Sequence, residues 1–139
     1  MTRSVKILYD IQHLNIVERA DRNFRDVSAE HGIRINVDYV FMRREVFEAL
    51  KNDPNYDFVI IHLGGRTEDI LRHAYSEAAD VRRVSEKAVL VAETTIPKSS
   101  IDPALGDYFD EYIWPPIYYG VPDGRENLRK LLRKYWFFS

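Results

Sequence analysis

The order of apolar and polar positions divides the chain into alternating strands and helices. Residues 57–63 form a short apolar run that follows an acidic turn and stops at two glycines. A run without alternation, too short for a helix, predicts a central parallel strand that is covered on both faces. Similar runs predict further strands at residues 5–9 and 88–92. These three segments are expected to form the middle of a sheet.

Two other segments have the character of edge strands. Residues 33–39 alternate strictly between apolar and polar side chains, which predicts a strand with only one buried face. Residues 111–114 form a short strand that is stopped by Pro115 and Pro116, and proline favours an edge position. The sheet therefore has a predicted edge in its second strand and another in its fifth.

Amphipathic spacing between the strands predicts five helices. The first covers residues 15–31 and is closed by Gly32, and the second covers 44–51. A longer third helix opens near Thr67, and a short fourth one runs from about 102 to 109 after Pro97 and a serine cap, Ser99 or Ser100. The spacing of Asp123 and Glu126 suggests a capping box for the last helix. Its predicted inner face is formed by Leu128, Leu131, Leu132 and Tyr135.

Strand and helix alternate five times, which predicts an α/β three-layer sandwich with a parallel sheet and right-handed crossovers. With the second and fifth strands at the edges, the expected strand order is 2-1-3-4-5, as in flavodoxin-like folds. Ligands of such folds bind beyond the carboxyl ends of the strands, where the first and third strands meet. Asp10 and His62 are predicted to lie there together.

Composition narrows the function classes. The chain has 139 residues, 45% of them hydrophobic, which is enough for one core, so residues 1–139 are expected to form a single domain. The net charge of -2 gives no global positive field, and a nucleic-acid partner is not expected. Without cysteine, disulfides, thiol nucleophiles and thiolate metal sites are excluded. Without a signal segment or a run of 18 apolar residues, no membrane partner and a cytoplasmic location are expected.

Polar residues at the predicted switch point are the candidate ligands for a metal ion or a small molecule. They are Asp10, His13, His62 and Glu93. Imidazole and carboxylate groups are common metal ligands, but a histidine at a strand end is more often simply hydrogen-bonded. Gly64 and Gly65 could bring backbone close to an anion, although such a pair usually only eases a turn. No cofactor is expected.

Across nearly its whole length the chain resembles the receiver domains of bacterial response regulators. The strongest match is residues 110–116, followed by the leucines of the final helix, which resemble the receiver's fifth strand, its lysine-proline step and its last helix. The resemblance implies a pocket in which two acids bind magnesium and an aspartate accepts a phosphoryl group. It also implies a threonine or serine that ends the fourth strand and a lysine that ends the fifth.

This sequence keeps little of that pocket. Asp10 matches one of the two acids and has Ile11 beside it, and His62 stands at the phosphoacceptor position. The threonine position falls on Glu93 or Thr94, and the lysine position on Pro115. Pro116 matches the family's proline, which implies that the bond before it is cis. Because an acyl-phosphate needs a carboxylate, a magnesium ion and a cation on the leaving oxygens, the resemblance implies a degenerate pseudo-receiver that lacks the aspartyl-phosphate cycle.

Two other families resemble residues 10–15 more weakly. Cobalamin-binding domains place an aspartate and a histidine two positions apart with a glycine following, whereas Asp10 and His13 are three apart without the glycine. PIN-like nucleases begin with a strand, an aspartate and a nearby asparagine, but need acids at other strand ends that His62 and its neighbours do not supply. Both remain fold-level analogies.

Aromatic residues crowd the end of the chain and predict an interaction surface. A small domain cannot easily bury all of them, and exposed aromatic surface marks interfaces. The predicted face consists of Tyr112, Trp114, Tyr118, Tyr119, Trp136, Phe137 and Phe138. The alternative is that residues 136–138 fold back as a plug of the core. By the resemblance, receivers dimerise or meet targets through the face of the fourth helix, fifth strand and fifth helix.

Two hypotheses of function follow. The first is a non-enzymatic signalling or interaction module that binds a protein partner or a second copy of itself through the aromatic face. The second is an enzyme or a small-ligand or metal-binding domain with its site at the carboxyl ends of strands 1, 3 and 4. The basic residues of the final helix, among them Arg125 and Arg129, are read as a solvated face or as a docking surface for an acidic partner.

Overall fold

The computed structural model describes residues 3–63, 68–95, 108–120 and 122–138, with the backbone alone for residues 68–74. The strands are β1 (Ser4–Asp10), β2 (Arg34–Val40), β3 (Phe58–Leu63), β4 (Val89–Thr94) and β5 (Glu111–Ile113). The helices are α1 (Val17–His31), α2 (Arg43–Asn52), α3 (Glu68–Val84) and α4 (Asp123–Lys134). From β1 to β4 strands and helices alternate as the sequence predicts, and a helix follows β5.

The five strands form one parallel sheet in the order β2-β1-β3-β4-β5. The predicted order is confirmed, with β3 in the centre and β2 and β5 at the edges. Every residue of β3 is buried, whereas β2 alternates between exposed and half-buried positions up to Val40. The contrast between unbroken and alternating apolar patterns therefore located the strands correctly.

Two hydrophobic clusters cover the two faces of the sheet. The first joins Tyr9, Phe58 and Ile60 to α1 and α4, and it includes the predicted inner residues of the last helix. The second joins Leu8, Val59 and Ile61 to α2 and α3. Because side chains of a strand alternate between faces, neighbours in sequence lie on opposite sides of the sheet. This rule decides which polar residues meet at the carboxyl end.

The start of α4 differs from the expected capping box. Asp123 already lies inside the helix, and Pro122 occupies the capping position without a side-chain hydrogen bond. The Glu126 side chain accepts a hydrogen bond from Arg129 at 3.0 Å instead of turning back to the helix start. Gly124 has a packing reason, since a Cβ atom there would lie 2.4 Å from the Ile117 carbonyl oxygen. The residues that suggested a capping box therefore have other roles. Glu126 pairs with Arg129, and Gly124 leaves room for the Ile117 carbonyl group.

Helix α1 ends as predicted, because Gly32 has a left-handed conformation with φ of 63°. The described residues contain four α-helices, not the five that were expected. The fourth predicted helix, at about 102 to 109, lies almost wholly outside the described residues. So do Gly64, Gly65, Thr67, Pro97, Ser99 and Ser100. No described helix has the length and apolar character needed to cross a membrane.

The cis peptide bond lies one position before the place that the receiver resemblance implies. It joins Trp114 to Pro115, not Pro115 to Pro116. Strand β5 ends at Ile113, so Trp114 is the residue that follows the strand and precedes the cis proline. Neither Trp114 nor Pro115 carries a cation.

Candidate functional site

A buried carboxylate organises the carboxyl end of the sheet. Glu93 of β4 stands opposite His62 of β3 in the sheet register and is completely shielded from solvent. Its Oε1 accepts hydrogen bonds from the Tyr9 hydroxyl and from His62 Nδ1, the latter at 3.1 Å. Its Oε2 accepts a hydrogen bond from the backbone N–H of Ile117 at 2.9 Å. Three donors from three segments compensate the burial of this group.

The Glu93 carboxylate controls the hydrogen positions of its neighbours. With Nδ1–H donating to Glu93, Nε2 is left as the acceptor nitrogen of the His62 ring. Burial and then the Glu93 charge raise the pKa of Tyr9 well above its ordinary value, so its hydroxyl stays a donor. Burial and then Glu93 raise the pKa of Tyr118 to about 12. The site therefore offers one basic nitrogen among neutral hydroxyl groups.

The loop after β1 shapes the approach to His62. Gln12 has a positive φ of 67°, and its side-chain amide donates to the His62 carbonyl oxygen at 2.7 Å. This contact places the exposed His13 beside the site, with its ring centroid 6.4 Å from that of His62. On the other side, the Tyr118 ring stands edge-on to His62 at 5.4 Å. The rings of His13 and Tyr118 thus both lie close to the buried His62 ring.

Asp10 does not join this group. It is in register with Ile61 and therefore lies on the opposite face of the sheet from Tyr9 and His62. There it is buried and hydrogen-bonded to Glu77 of α3, while no described residue forms a hydrogen bond with its Oδ1. Burial raises the pKa of Asp10 to about 6, and burial and then the Asp10 charge raise the pKa of Glu77 to about 8. The two carboxyl groups form an acid pair separate from Glu93.

Of the four candidate ligands, the structure brings His62 and Glu93 into contact and places His13 next to them, with Asp10 across the sheet. Thr94 is buried on the same face as Asp10, because it is in register with Leu63. Within the described residues no group of three or more histidine, aspartate or glutamate side chains is arranged to hold a metal ion. The arrangement suits proton transfer or hydrogen bonding at His62 Nε2 better than multidentate metal binding.

The aromatic residues assigned to an interaction face divide into three groups. Tyr118 is only 9% exposed and belongs to the core, and Phe137 and Phe138 pack against the same cluster. Trp114 is 47% exposed, with Tyr119 also exposed nearby in sequence. Trp136 is 78% exposed and has a positive φ of 66°. Tyr112 is half-buried on β5.

The two exposed tryptophans lie at opposite ends of the sheet. Trp114 follows the carboxyl end of β5. Trp136 lies at the amino end, because its carbonyl oxygen accepts a hydrogen bond from Arg3, which precedes β1. Its neighbour Phe137 packs on Phe58, the first residue of β3.

Exposed apolar side chains gather at the carboxyl end of the sheet. We call this group the carboxyl rim, and it consists of Leu14, Met42, Trp114 and Tyr119. Each follows the end of a strand, and the strands are parallel, so all four lie at the carboxyl end of the sheet, with Met42 after one edge strand and Trp114 after the other. His62 and Glu93 lie at the same end of the sheet.

The basic side of the last helix is largely neutralised within the domain. Arg125 pairs with Asp26, and Arg129 binds Glu30 of α1 at 2.7 Å. Lys134 pairs with Glu111 of β5. These contacts hold α4 against its neighbours. Most of the predicted basic surface therefore consists of side chains that form ion pairs within the domain.

Sequence reasoning missed three residues of the buried polar network: Tyr9, Asn23 and Glu77. Asn23 donates to the carbonyl oxygens of Ile117 and Tyr119, at 2.6 and 3.1 Å, and so fixes the loop that supplies a donor to Glu93. The sequence did contain a signal for Asn23 and Glu77. Asn23 lies at helical spacing from Ala20 and Val27, and Glu77 from Ala74 and Val81, each inside an apolar stripe. A polar residue within such a stripe is buried with its partners.

Comparison with known proteins supports the fold. No protein-family model matches the chain, and no curated protein matches it. A crystal structure from Burkholderia pseudomallei, named as a pilus assembly-related protein, is similar with a TM-score of 0.62 and 14% sequence identity. The similarity covers 94% of this chain and 87% of that chain. At this level of identity the likeness shows a shared fold and nothing further.

Proposed function

We propose that this domain is a phosphorylation-independent pseudo-receiver that acts as a signalling or protein-interaction module. The observation that carries the proposal is the burial and hydrogen bonding of Glu93. This carboxylate accepts three hydrogen bonds inside the protein and is sealed from solvent. The end of the sheet where a receiver would run phosphoryl chemistry is here closed by a structural network.

The remaining parts of a phosphoryl site are also missing from the described residues. Asp10 lies across the sheet from His62 and is paired with Glu77, so it does not share a cation site with the phosphoacceptor position. Pro115, which stands at the lysine position, and Trp114 before it both follow β5, and neither can supply a positive charge to a phosphoryl oxygen. Since phosphoryl transfer depends on charge neutralisation, the domain is expected to signal through binding alone.

The surface argues for a protein partner. The carboxyl rim exposes four large apolar side chains at the carboxyl end of the sheet, and two of them, Trp114 and Tyr119, follow β5. Exposed apolar groups that cluster at one place favour association, and tryptophan and tyrosine often supply most of the binding energy. We place the contact on the part of the rim that Trp114 and Tyr119 form, next to the predicted surface of the fourth helix, fifth strand and fifth helix. The partner is another protein or a second copy of this chain.

Sedimentation of the purified domain tests this surface. We expect concentration-dependent association that is lost in Trp114→Ala and retained in Trp136→Ala, which removes an exposed tryptophan from the other end of the sheet. Circular dichroism would check that both variants remain folded. Loss of association in Trp136→Ala with retention in Trp114→Ala would refute the assignment. If the wild-type domain stays monomeric, the same two variants are compared for binding to partners identified by affinity capture.

A phosphoryl mimic tests the inert pocket. Amide chemical shifts are recorded while magnesium and beryllofluoride are added to the millimolar range. The residues around Asp10, His62 and Thr94 are expected to show no saturable change. Saturable shifts at these residues would show that the phosphoryl site works and would sink the pseudo-receiver proposal.

The contact between His62 and Glu93 favours a second candidate function, a ligand or metal site at the same edge. A carboxylate that fixes Nδ1–H makes Nε2 the basic nitrogen, which suits a proton acceptor or a metal ligand. Titration with zinc tests this candidate, with His13→Ala as a second variant because that side chain is exposed. Saturable shifts at His62 that disappear in His13→Ala would support a metal site. Unchanged spectra would leave binding of a protein as the better account.

A further inference from the structure

A second concave site lies at the opposite end of the sheet from His62. A cavity of about 380 Å³ opens beside Phe58 and Val89, the first residues of β3 and β4. Four aromatic side chains line much of it, namely Tyr56, Phe58, Tyr135 and Phe137. The ring of Phe58 lies 5.5 Å from that of Tyr135 and 5.7 Å from that of Phe137. The volume falls in the range of small-molecule sites, which are mostly apolar with a few polar groups.

The polar groups of this cavity carry both signs of charge. Lys87 is exposed and takes part in no ion pair with the described residues. Asp57 is half-buried, and its Oδ2 accepts a hydrogen bond from the backbone N–H of Lys6 at 2.8 Å. No described residue donates a hydrogen bond to its Oδ1. The cavity therefore offers one cationic donor and one anionic acceptor at the border of an aromatic surface.

We infer that this cavity binds a small zwitterionic aromatic molecule of the class of the free aromatic amino acids. The ring of the ligand packs against the half-buried rings of Tyr135 and Phe137, where edge-to-face and offset contacts are favourable, whereas Tyr56 and Phe58 are themselves buried. Its carboxylate meets the Lys87 ammonium, and its ammonium meets Asp57 Oδ1. A neutral aromatic molecule would use only the rings, and a simple aromatic acid would meet Asp57 as a like charge. Complementary charges at both positions thus select the zwitterion.

Three related probes separate the contributions of the ring and the two charges. They are L-phenylalanine, 3-phenylpropionate without the ammonium group, and phenethylamine without the carboxylate. Amide chemical shifts of Asn55, Phe58, Val89 and Phe137 are followed during titration into the millimolar range. We expect phenylalanine to bind most tightly of the three. The shifts should be saturable and confined to the amino end of the sheet.

Two variants assign the charges. Lys87→Gln should weaken phenylalanine and phenylpropionate about two- to five-fold, the range of a solvent-exposed ion pair, and leave phenethylamine unchanged. Lys130→Gln, an exposed lysine of α4, is the matched control and should change nothing. Asp57→Asn keeps an oxygen for the Lys6 N–H and should weaken phenylalanine and phenethylamine alone.

Several outcomes would overturn the inference. Absence of saturable shifts with all three probes would show that the cavity does not bind this class. Equal affinity for the three probes, or affinity that Lys87→Gln leaves intact for every one of them, would show nonspecific contact with the rings. Shifts that centre on His62 would move the binding to the other end of the sheet. None of these results bears on the proposed interaction module, which concerns the carboxyl rim.

Discussion

Replacement of Glu77 by glutamine should stabilise the domain at and above neutral pH. Glu77 and Asp10 are two buried carboxyl groups in contact, and burial makes their ionisation costly. The pKa values of this pair are also affected by Arg43 and Glu45 of α2 and by His62 of β3. Arg43 lowers the pKa of Glu77, whereas Glu45 raises and His62 lowers the pKa of Asp10. The net effect is still upward for both groups.

The size of the effect follows from linkage between protonation and folding. The pKa of Glu77 rises from 4.5 to about 8 on folding. A raised pKa means that stability is fully present below the unfolded value, near 4.5, and is lost as the pH rises through about 8. At pH 7 the unfolded chain has lost the Glu77 proton that the folded domain keeps. Between about pH 4.5 and pH 7, a span of about 2.5 pH units, the free energy of unfolding therefore falls by ~3 kcal/mol. Glutamine carries no such penalty, and its amide can donate to Asp10.

Urea unfolding between pH 5 and pH 9 is the assay. In the wild-type domain the free energy of unfolding should fall through this range, whereas in Glu77→Gln it should fall much less. The two proteins should have similar stability at pH 5, and the difference should grow to ~3 kcal/mol at pH 7 and ~4 kcal/mol at pH 8. Glu86→Gln, an exposed glutamate just after α3, is the control and should follow the wild type. A flat wild-type profile, or a Glu77→Gln variant that is less stable at pH 8, would refute the reasoning.

Two further substitutions probe the carboxyl end of the sheet by urea unfolding. Glu93→Leu should cost about 3–5 kcal/mol, because the donors of Tyr9, His62 and Ile117 lose their acceptor while still buried. A cost below about 1 kcal/mol would show that the network matters little. Gly124→Ala should destabilise by about 1–3 kcal/mol, although alanine is the better helix former, because its Cβ would meet the Ile117 carbonyl oxygen at 2.4 Å. Gly120→Ala, with open space around it, should be neutral, and equal stabilities for the two variants would contradict this account.

The sheet could be predicted from the sequence because its evidence is local. The unbroken apolar run that became β3 and the strict alternation that became β2 each report how many faces are covered. The order of strands followed from those two observations and the proline after β5. Boundaries shifted by one or two residues, as with Glu93 and Thr94, which belong to β4 and do not follow it.

The site could be predicted only in part because its geometry depends on register. Asp10 and His62 both end strands that meet at the switch point, but whether they share a face depends on pairing between strands that are distant in sequence. Asp10 stands opposite Ile61 and not opposite His62. This one-residue difference in register places its side chain on the face of the sheet where Glu77 of α3 lies. The aromatic end of the chain was ambiguous for a similar reason. Composition does not reveal that Phe137 turns inward while Trp136 turns outward.

The contact between Arg3 and the Trp136 carbonyl brings the two ends of the described chain together at the amino edge. Polypeptide attached before residue 3 or after residue 138 would leave from the same side of the domain. The carboxyl rim faces the other way. The domain could thus be inserted into a loop of a larger protein, or circularly permuted by a short linker, with its binding end still pointing outward. Fusion tags for the experiments above can be placed at either terminus without covering the carboxyl rim.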